Sequence, residues 1–289
     1  MPFPEPPPVV DCHVHVGATA RWIPEGLELA RETADEAALG ALEPDGPIGS
    51  RVGPYLRSQG VTIGMAIPSG RGPLQEYTLQ DAEESDGMLL PFVQYDPRSV
   101  TGAHRRFAAA IGEGAVGLKV HPASHQLPPN DRALYPLYAV AAEHRVPVMV
   151  HVGSSVFPGA KMRHCDPLLV DEAAVDFPEV NFLLAHSGRG FWTEQVFFLT
   201  RMRRNVWMEL SGLPPRRLPE IFPDLDRVAD RLLWGSDWPS SPPIRDLTSQ
   251  LRQLPFRPAT IDRLMWRNAA ELFGLTGLLE TTDVEGCTA

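Results

Sequence analysis

Val9-Val10-Asp11-Cys12-His13-Val14-His15-Val16-Gly17 is a short apolar run that ends in two histidines. Side chains alternate faces along a strand, so a strand here projects His13 and His15 the same way, one pleat apart. Two imidazoles so placed suit adjacent ligand positions on one metal ion at the strand's C-terminal end. His-x-His also occurs often without a metal, so the rest of the chain has to decide the matter.

Seven further apolar runs follow, over residues 61–68, 88–95, 115–121, 146–152, 180–186, 206–210 and 232–237. They are continuous rather than alternating, as expected of parallel strands buried on both faces. Helical segments stand between them: 53–59, 75–85, 103–111, 132–144, 167–177, 192–203 and 219–229, with 259–273 closing the chain. In 132–144 the apolar residues Leu134, Leu137, Val140 and Ala141 recur at helical spacing. Eight strands alternating with helices predict an α/β fold, a (β/α)8 TIM barrel, in a single domain over residues 1–289. The absence of Gly-x-Gly-x-x-Gly after the first run argues against a dinucleotide-binding sheet. Residues 18–50, with Pro24, Pro44, Gly46 and Pro47 around a helical 25–41, read as a small insertion after the first strand that caps the barrel. Residues 276–289 read as a frayed tail.

Hydrophobic content of 43% and charged content of 21% are those of a soluble globular chain. A net charge of −10 with no basic run argues against a nucleic-acid partner. No apolar stretch approaches the roughly 20 residues that span a bilayer, so no membrane role is expected. The N-terminus lacks the basic and apolar regions of a signal peptide, and Cys12, Cys165 and Cys287 form no paired framework. A cytoplasmic location follows as the expectation. Of 26 basic residues only Lys119 and Lys161 are lysines, which singles them out as places where a compact ammonium could matter.

A barrel carries its active site at the C-terminal ends of its strands. His13 and His15 end the first strand, Lys119-Val120-His121 the fourth, His151 the fifth, His186 the sixth and Gly235-Ser236-Asp237 the eighth. Five of nine histidines thus fall on one rim with an aspartate, which turns separate weak signals into one strong one. Asp11, one step deeper on the first strand, reads as support for the ligands, and Cys12, on the opposite face, as core. In the loops, Phe157, Lys161, Arg189 and Trp238 set cationic beside aromatic groups, a combination that suits a small planar carboxylate.

The motifs Asp11-x-His13-x-His15, Gly117-Leu-Lys-Val-His-Pro122, Pro147-Val-Met-Val-His151, Leu184-Ala-His186-Ser-Gly188, Leu233-Trp-Gly-Ser-Asp-Trp-Pro239 and Asn268-Ala-Ala-Glu-Leu-Phe273 together cover nearly the whole chain. In them the chain resembles the amidohydrolase superfamily, and within it the amidohydrolase-related branch that includes aminocarboxymuconate-semialdehyde decarboxylase. The resemblance implies one divalent metal ion, zinc before manganese, held by His13, His15, His151 and Asp237. It further implies Asp237 and His186 as catalytic acid–base residues, a small-molecule substrate and a homodimer. Three imidazoles and a carboxylate leave such an ion with residual charge to activate water. Lys119 and His121 are expected to line the substrate pocket with Lys161, Arg189 and Trp238. A carbamylated Lys119 bridging two metals is the alternative drawn from other branches.

Three functions are open at this point. A metal-dependent hydrolase would use metal-activated water at a carbonyl carbon of a small carboxylate-bearing substrate. A nonoxidative decarboxylase, a lyase, would use the same metal on an aromatic or unsaturated carboxylic acid. A barrel serving only as a binding subunit would need none of the rim residues, yet every ligand position is filled.

Overall fold

The computed structural model describes residues 7–42, 46–69, 74–155 and 159–280. Its eight strands are β1 (Val10–Val16), β2 (Ile63–Pro68), β3 (Leu89–Gln94), β4 (Gly117–Val120), β5 (Val148–His151), β6 (Phe182–Ala185), β7 (Val206–Glu209) and β8 (Leu232–Leu233). They form one sheet in sequence order, each strand parallel to the next. Helices stand between them, so the expected (β/α)8 barrel is the observed one. Every residue of β2, β4, β5, β6 and β8 is buried, which explains their unbroken apolar character. Among the described residues no helix is long and apolar enough to cross a membrane.

Where the elements differ from expectation, the cause is local. Residues 25–41 form two helices, Pro24–Thr33 and Glu36–Ala41, because Asp35 caps the second by accepting from Ala38 N at 2.7 Å. Residues 219–229 hold one α-helical turn, Leu218–Ile221, and a 3-10 stretch, Leu225–Arg231. The helix Ile244–Arg252 was not anticipated, and the closing helix is built from Pro258–Asp262, a π turn over Arg263–Arg267, and Asn268–Phe273. Asn268 donates to the carbonyls of Ala229 and Leu232, both at 2.8 Å, pinning this helix beneath β8. Thr276–Glu280 is a further short helix rather than fraying, while residues 281–289 and Phe157 lie outside the described residues.

The eighth strand is shorter than the expected 232–237. Beyond Leu233 the chain leaves the β7 ladder and turns to β1. Trp234 O accepts from Cys12 N at 2.9 Å, Asp237 N donates to His13 O at 3.0 Å, and Trp238 O accepts from His15 N at 2.8 Å. Asp237 itself takes a left-handed φ of 65°. This seam joins the first and last strands and brings residues 222 positions apart into one place.

One buried acid outside the rim supports the insertion side. Asp81, 1% exposed on the helix Leu74–Glu83, accepts from Ile48 N at 2.6 Å at the start of the helix Gly49–Ser58. A Cβ on Gly49 would lie 1.8 Å from the Asp81 carbonyl oxygen, so only glycine permits this approach. Burial raises the Asp81 carboxyl to about 6, against hydrogen bonds from Ile48 and Gly49 that lower it. A carboxyl raised by folding binds its proton more tightly in the native state, so its contribution is full below pH about 4 and is lost as pH rises through about 6. Urea unfolding of the native chain and of Asp81→Asn at several pH values should show the native chain losing stability relative to the variant across that window. Parallel pH profiles would contradict this account.

Candidate metal centre

The strand ends converge on one cavity of about 880 Å3, into which His13, His15, Lys119, His121, His151, His186, Arg189 and Asp237 all open. His13 and His15 leave the same face of β1, their ring centroids 4.9 Å apart. The seam lays Asp237 across them, with Oδ1 at 3.8 Å from His13 Nε2 and 3.2 Å from His15 Nε2. One donor atom from each of these three residues falls within 4.8 Å of the other two, a spacing that a single ion can span. Behind the rings, His15 Nδ1 is 2.6 Å from Ser69 Oγ and His13 Nδ1 is 3.0 Å from Glu209 Oε2. His186 turns its Nδ1 to the carbonyl of Ser211 at 3.2 Å and lies 3.9 Å from the second oxygen of Asp237. Its own φ is 66°, and that of Ser187 is 43°.

Electrostatics suit this donor set to a cation. Burial, foremost, holds His13 and His151 well below the ordinary histidine range and lowers His186 to about 3, so the imidazoles are neutral lone-pair donors. For Asp237 burial pushes upward, but His186, the His15 hydrogen bond and His13 outweigh it, and the carboxylate stays ionised well below its usual range. Burial also brings Lys119, with Nζ 3.4 Å from His13 Nε2, down to about 8 despite the charges of Glu209 and Asp237. Asp11 rises to about 7 through burial while accepting from His13 N at 3.1 Å and Ser236 N at 2.8 Å. It supports the seam through these bonds and does not line the cavity.

The other expected site residues divide into three groups. Arg189 reaches the site, with Nη1 3.6 Å from Asp237 Oδ2 and donations to Gly212 O and Ser154 O. His121 lines the cavity and stacks on His151 with centroids 4.2 Å apart. His151, the expected fourth ligand, shares the rim but joins neither of the two groups of close donors among the described residues, His13 with His15 and Asp237, and His13 with His186 and Glu209. The Nε2 of His151 faces the Ser154 carbonyl at 3.3 Å, and its ring lies 4.6 Å from that of His186. Two residues need correction. Trp238 is 1% exposed and packs against Tyr55 at 5.4 Å, because the left-handed turn at Asp237 directs the next side chain into the core. Lys161 is exposed and donates to Gln126 Oε1 at 2.7 Å; it does not line the cavity.

Sequence reading missed Glu209. It ends β7, is fully buried, and besides His13 it accepts from Ser211 N, Ser211 Oγ and His186 N. An acidic residue closing the apolar run Val206-Trp-Met-Glu209 was the available signal. The insertion was also underread as a cap alone. Trp22, Ile23 and Leu29 form an apolar wall of the cavity, and Trp22 is fixed by its Nε1 donating to Gly17 O at 2.9 Å.

The family model described as amidohydrolase matches residues 10–275. No curated protein matches in sequence. Among solved structures, an uncharacterised TIM-barrel protein from Bordetella bronchiseptica superposes with a TM-score of 0.72 at 17% identity, over 93% of this chain and 99% of its own. The 5-carboxyvanillate decarboxylase of Sphingomonas paucimobilis gives 0.65 at 13% identity, over 92% and 99%. A putative 2-pyrone-4,6-dicarboxylic acid hydrolase from Pseudomonas putida gives 0.62 at 24% identity, over 93% and 98%. At these identities the likeness concerns the fold.

The packing behind the trio leaves no room for a side chain at residue 235. A Cβ on Gly235 would stand 2.5 Å from Glu209 Oε1 and 2.6 Å from His13 Cβ. Gly235→Ala is therefore expected to lower stability by about 1–3 kcal/mol, measured by chemical denaturation, through overpacking at the seam. A variant as stable as the native chain would show that the seam yields freely.

Proposed function

The chain belongs to the amidohydrolase family, and on that premise we propose that it is a metal-dependent hydrolase in which water attacks a carbonyl carbon of a small carboxylate-bearing substrate with a cyclic or aromatic body. The observation that carries this reading is the two-sided carboxylate of Asp237. Oδ1 lies with the nitrogens of His13 and His15, while Oδ2 turns toward His186 and Arg189. One oxygen can serve a cation while the other accepts a proton from a neighbouring water. His13, His15 and Asp237 would hold one divalent ion, zinc or manganese, with His151 on the same rim as the fourth ligand. When bound, such an ion supplies Lewis acidity, polarising a carbonyl and bringing the pKa of water toward about 7.

The chain's own groups do the remaining work. Asp237 takes the proton of the attacking water, being ionised and beside His13 and His15. His186 donates its Nδ1 hydrogen to the Ser211 carbonyl and so keeps Nε2 as a lone pair for proton transfer or for orienting the substrate. Arg189 and Lys119 supply fixed positive charge for a substrate carboxylate, Arg189 through a planar fork and Lys119 as a point charge. The wall of Trp22, Ile23 and Leu29 packs on the substrate body and excludes bulk water from that side.

A second reading has one observation in its favour. Lys119 and Arg189 stand 3.4 Å and 3.6 Å from His13 Nε2 and Asp237 Oδ2, so two cations converge on the ligand trio itself. A carboxylate gripped there is what a nonoxidative decarboxylase of an aromatic or unsaturated acid requires. Release of CO2, measured against release of titratable acid on the same panel of aromatic carboxylates and lactones, separates the two reactions.

Elemental mass spectrometry of the purified protein is expected to find about one equivalent of divalent metal per chain. It should be absent from His13→Ala and Asp237→Ala and reduced in His151→Ala. Two equivalents would instead indicate a bridging, carbamylated Lys119, and none after zinc is supplied would overturn the proposal. With a substrate in hand, Asp237→Asn should lower kcat by about 10²–10⁴-fold, the range for loss of a positioned base. Arg189→Ala should act chiefly on KM.

A further inference from the structure

Glu209 is buried with no lysine or arginine salt-bridged to it among the described residues, and it is surrounded by hydrogen-bond donors. Its Oε1 accepts from Ser211 N at 2.9 Å. Its Oε2 is approached by Ser211 Oγ at 2.7 Å, His13 Nδ1 at 3.0 Å and His186 N at 3.4 Å. Two of these four partners are backbone N–H groups, which can only donate. A carboxylate whose oxygens are filled in this way is an acceptor throughout.

Ser211 fixes the rest of the pattern. Its hydroxyl has one hydrogen and contacts three groups: Glu209 Oε2, His13 Nδ1 at 3.1 Å and His186 Nδ1 at 3.0 Å. With the hydrogen given to Glu209, the oxygen can only accept from the two imidazoles. His186 Nδ1 also faces the Ser211 carbonyl, which likewise only accepts. With Glu209 ionised, every donor has an acceptor when both histidines carry their hydrogen on Nδ1.

We propose that Glu209, acting with the Ser211 hydroxyl, is a positioning residue that locks His13 and His186 in the Nδ1–H tautomer and so presents the Nε2 lone pair of each toward the cavity. It touches neither the cavity nor a substrate, since the cavity lining includes His13 and His186 but not Glu209. The opposite tautomer of His13 would place a hydrogen on the nitrogen that Lys119 Nζ approaches at 3.4 Å and Asp237 Oδ1 at 3.8 Å, and remove that ring from the ligand set. Carboxylate partners of this kind hold ring orientation and ligand basicity in metal sites generally.

Glu209→Gln separates this role from simple space filling. The amide matches the carboxyl in size, but its NH2 must face either Ser211 N–H or His13 Nδ1–H, donor against donor. If Glu209 only fills space, glutamine replaces it without effect. On the proposal, metal-stripped Glu209→Gln binds added Zn2+ about 10–100-fold more weakly than the native chain by competition titration, with its helical circular dichroism retained. The second readout needs no metal and no substrate. Ring 15N shifts of the metal-stripped native protein, with the His13 signal identified by its loss in His13→Ala, are expected to show hydrogen on Nδ1, and the Glu209→Gln spectrum a shift toward Nε2–H. Unchanged zinc affinity in Glu209→Gln, or Nε2–H on His13 in the native protein, would overturn the proposal. Because the native tautomer is read without metal, that outcome stands whether or not the variant folds. It is also distinct from failure of the hydrolase reading, which turns on metal content and products.

Discussion

A few hydrogen bonds across one seam hold the site together. β1 opens the sheet and β8 ends it, and β8 is too short to complete the ring by itself. Closure falls to the segment after it, bonded to β1 through Cys12, His13 and His15 and through its own Ser236 N, which donates to the Asp11 carboxyl. Asp237 meets the two histidines only because this closure holds. Left-handed backbone at a non-glycine residue costs about 1–3 kcal/mol, and Asp237, His186 and Ser187 all adopt it. The seam and the hydrogen bonds around Glu209 offset that strain, so the conformations that aim the site are maintained by its surroundings.

The same arrangement sets the electrostatics. Neutral imidazoles, one ionised aspartate and a lysine lowered by burial share one largely buried rim. Each charge there is felt more strongly than it would be at the surface. Glu209 sits behind His13 as a second buried acid, raised by burial and held by the donors of Ser211 and His186 N, with Lys119 the cation that acts on it. A site with two carboxylates, one forward and one behind, favours a positive occupant in front.

Much of this was legible in the sequence because it follows from period and position. Continuous apolar runs gave the eight parallel strands, and a barrel's habit of collecting chemistry at strand ends gave His13, His15, Lys119, His121, His151, His186 and Asp237 one rim. What was not legible depends on backbone geometry that no spacing encodes. Trp238 looked like a cavity residue until the turn at Asp237 sent it toward Tyr55. Lys161 sits in a loop, where alternation no longer says which way a side chain points. Glu209 was passed over because an acid after three apolar residues resembles an ordinary strand end, and its meaning lies in partners from β1 and β6. The metal-ligand role of His151 rested on resemblance; its Nε2 stands 3.3 Å from the Ser154 carbonyl, on the same rim as the ligand trio.

The wall formed by Trp22, Ile23 and Leu29 comes from the segment between β1 and β2, anchored by Trp22 on Gly17 and by Arg21 stacked 3.4 Å over Tyr77. None of its residues belongs to the ligand trio or to the hydrogen-bond network behind it. This apolar wall and the polar rim are therefore written in different lengths of chain. The segment can be recut without touching the strands that carry the histidines, so the shape of one side of the cavity is free to change while the seam that closes the barrel stays as it is.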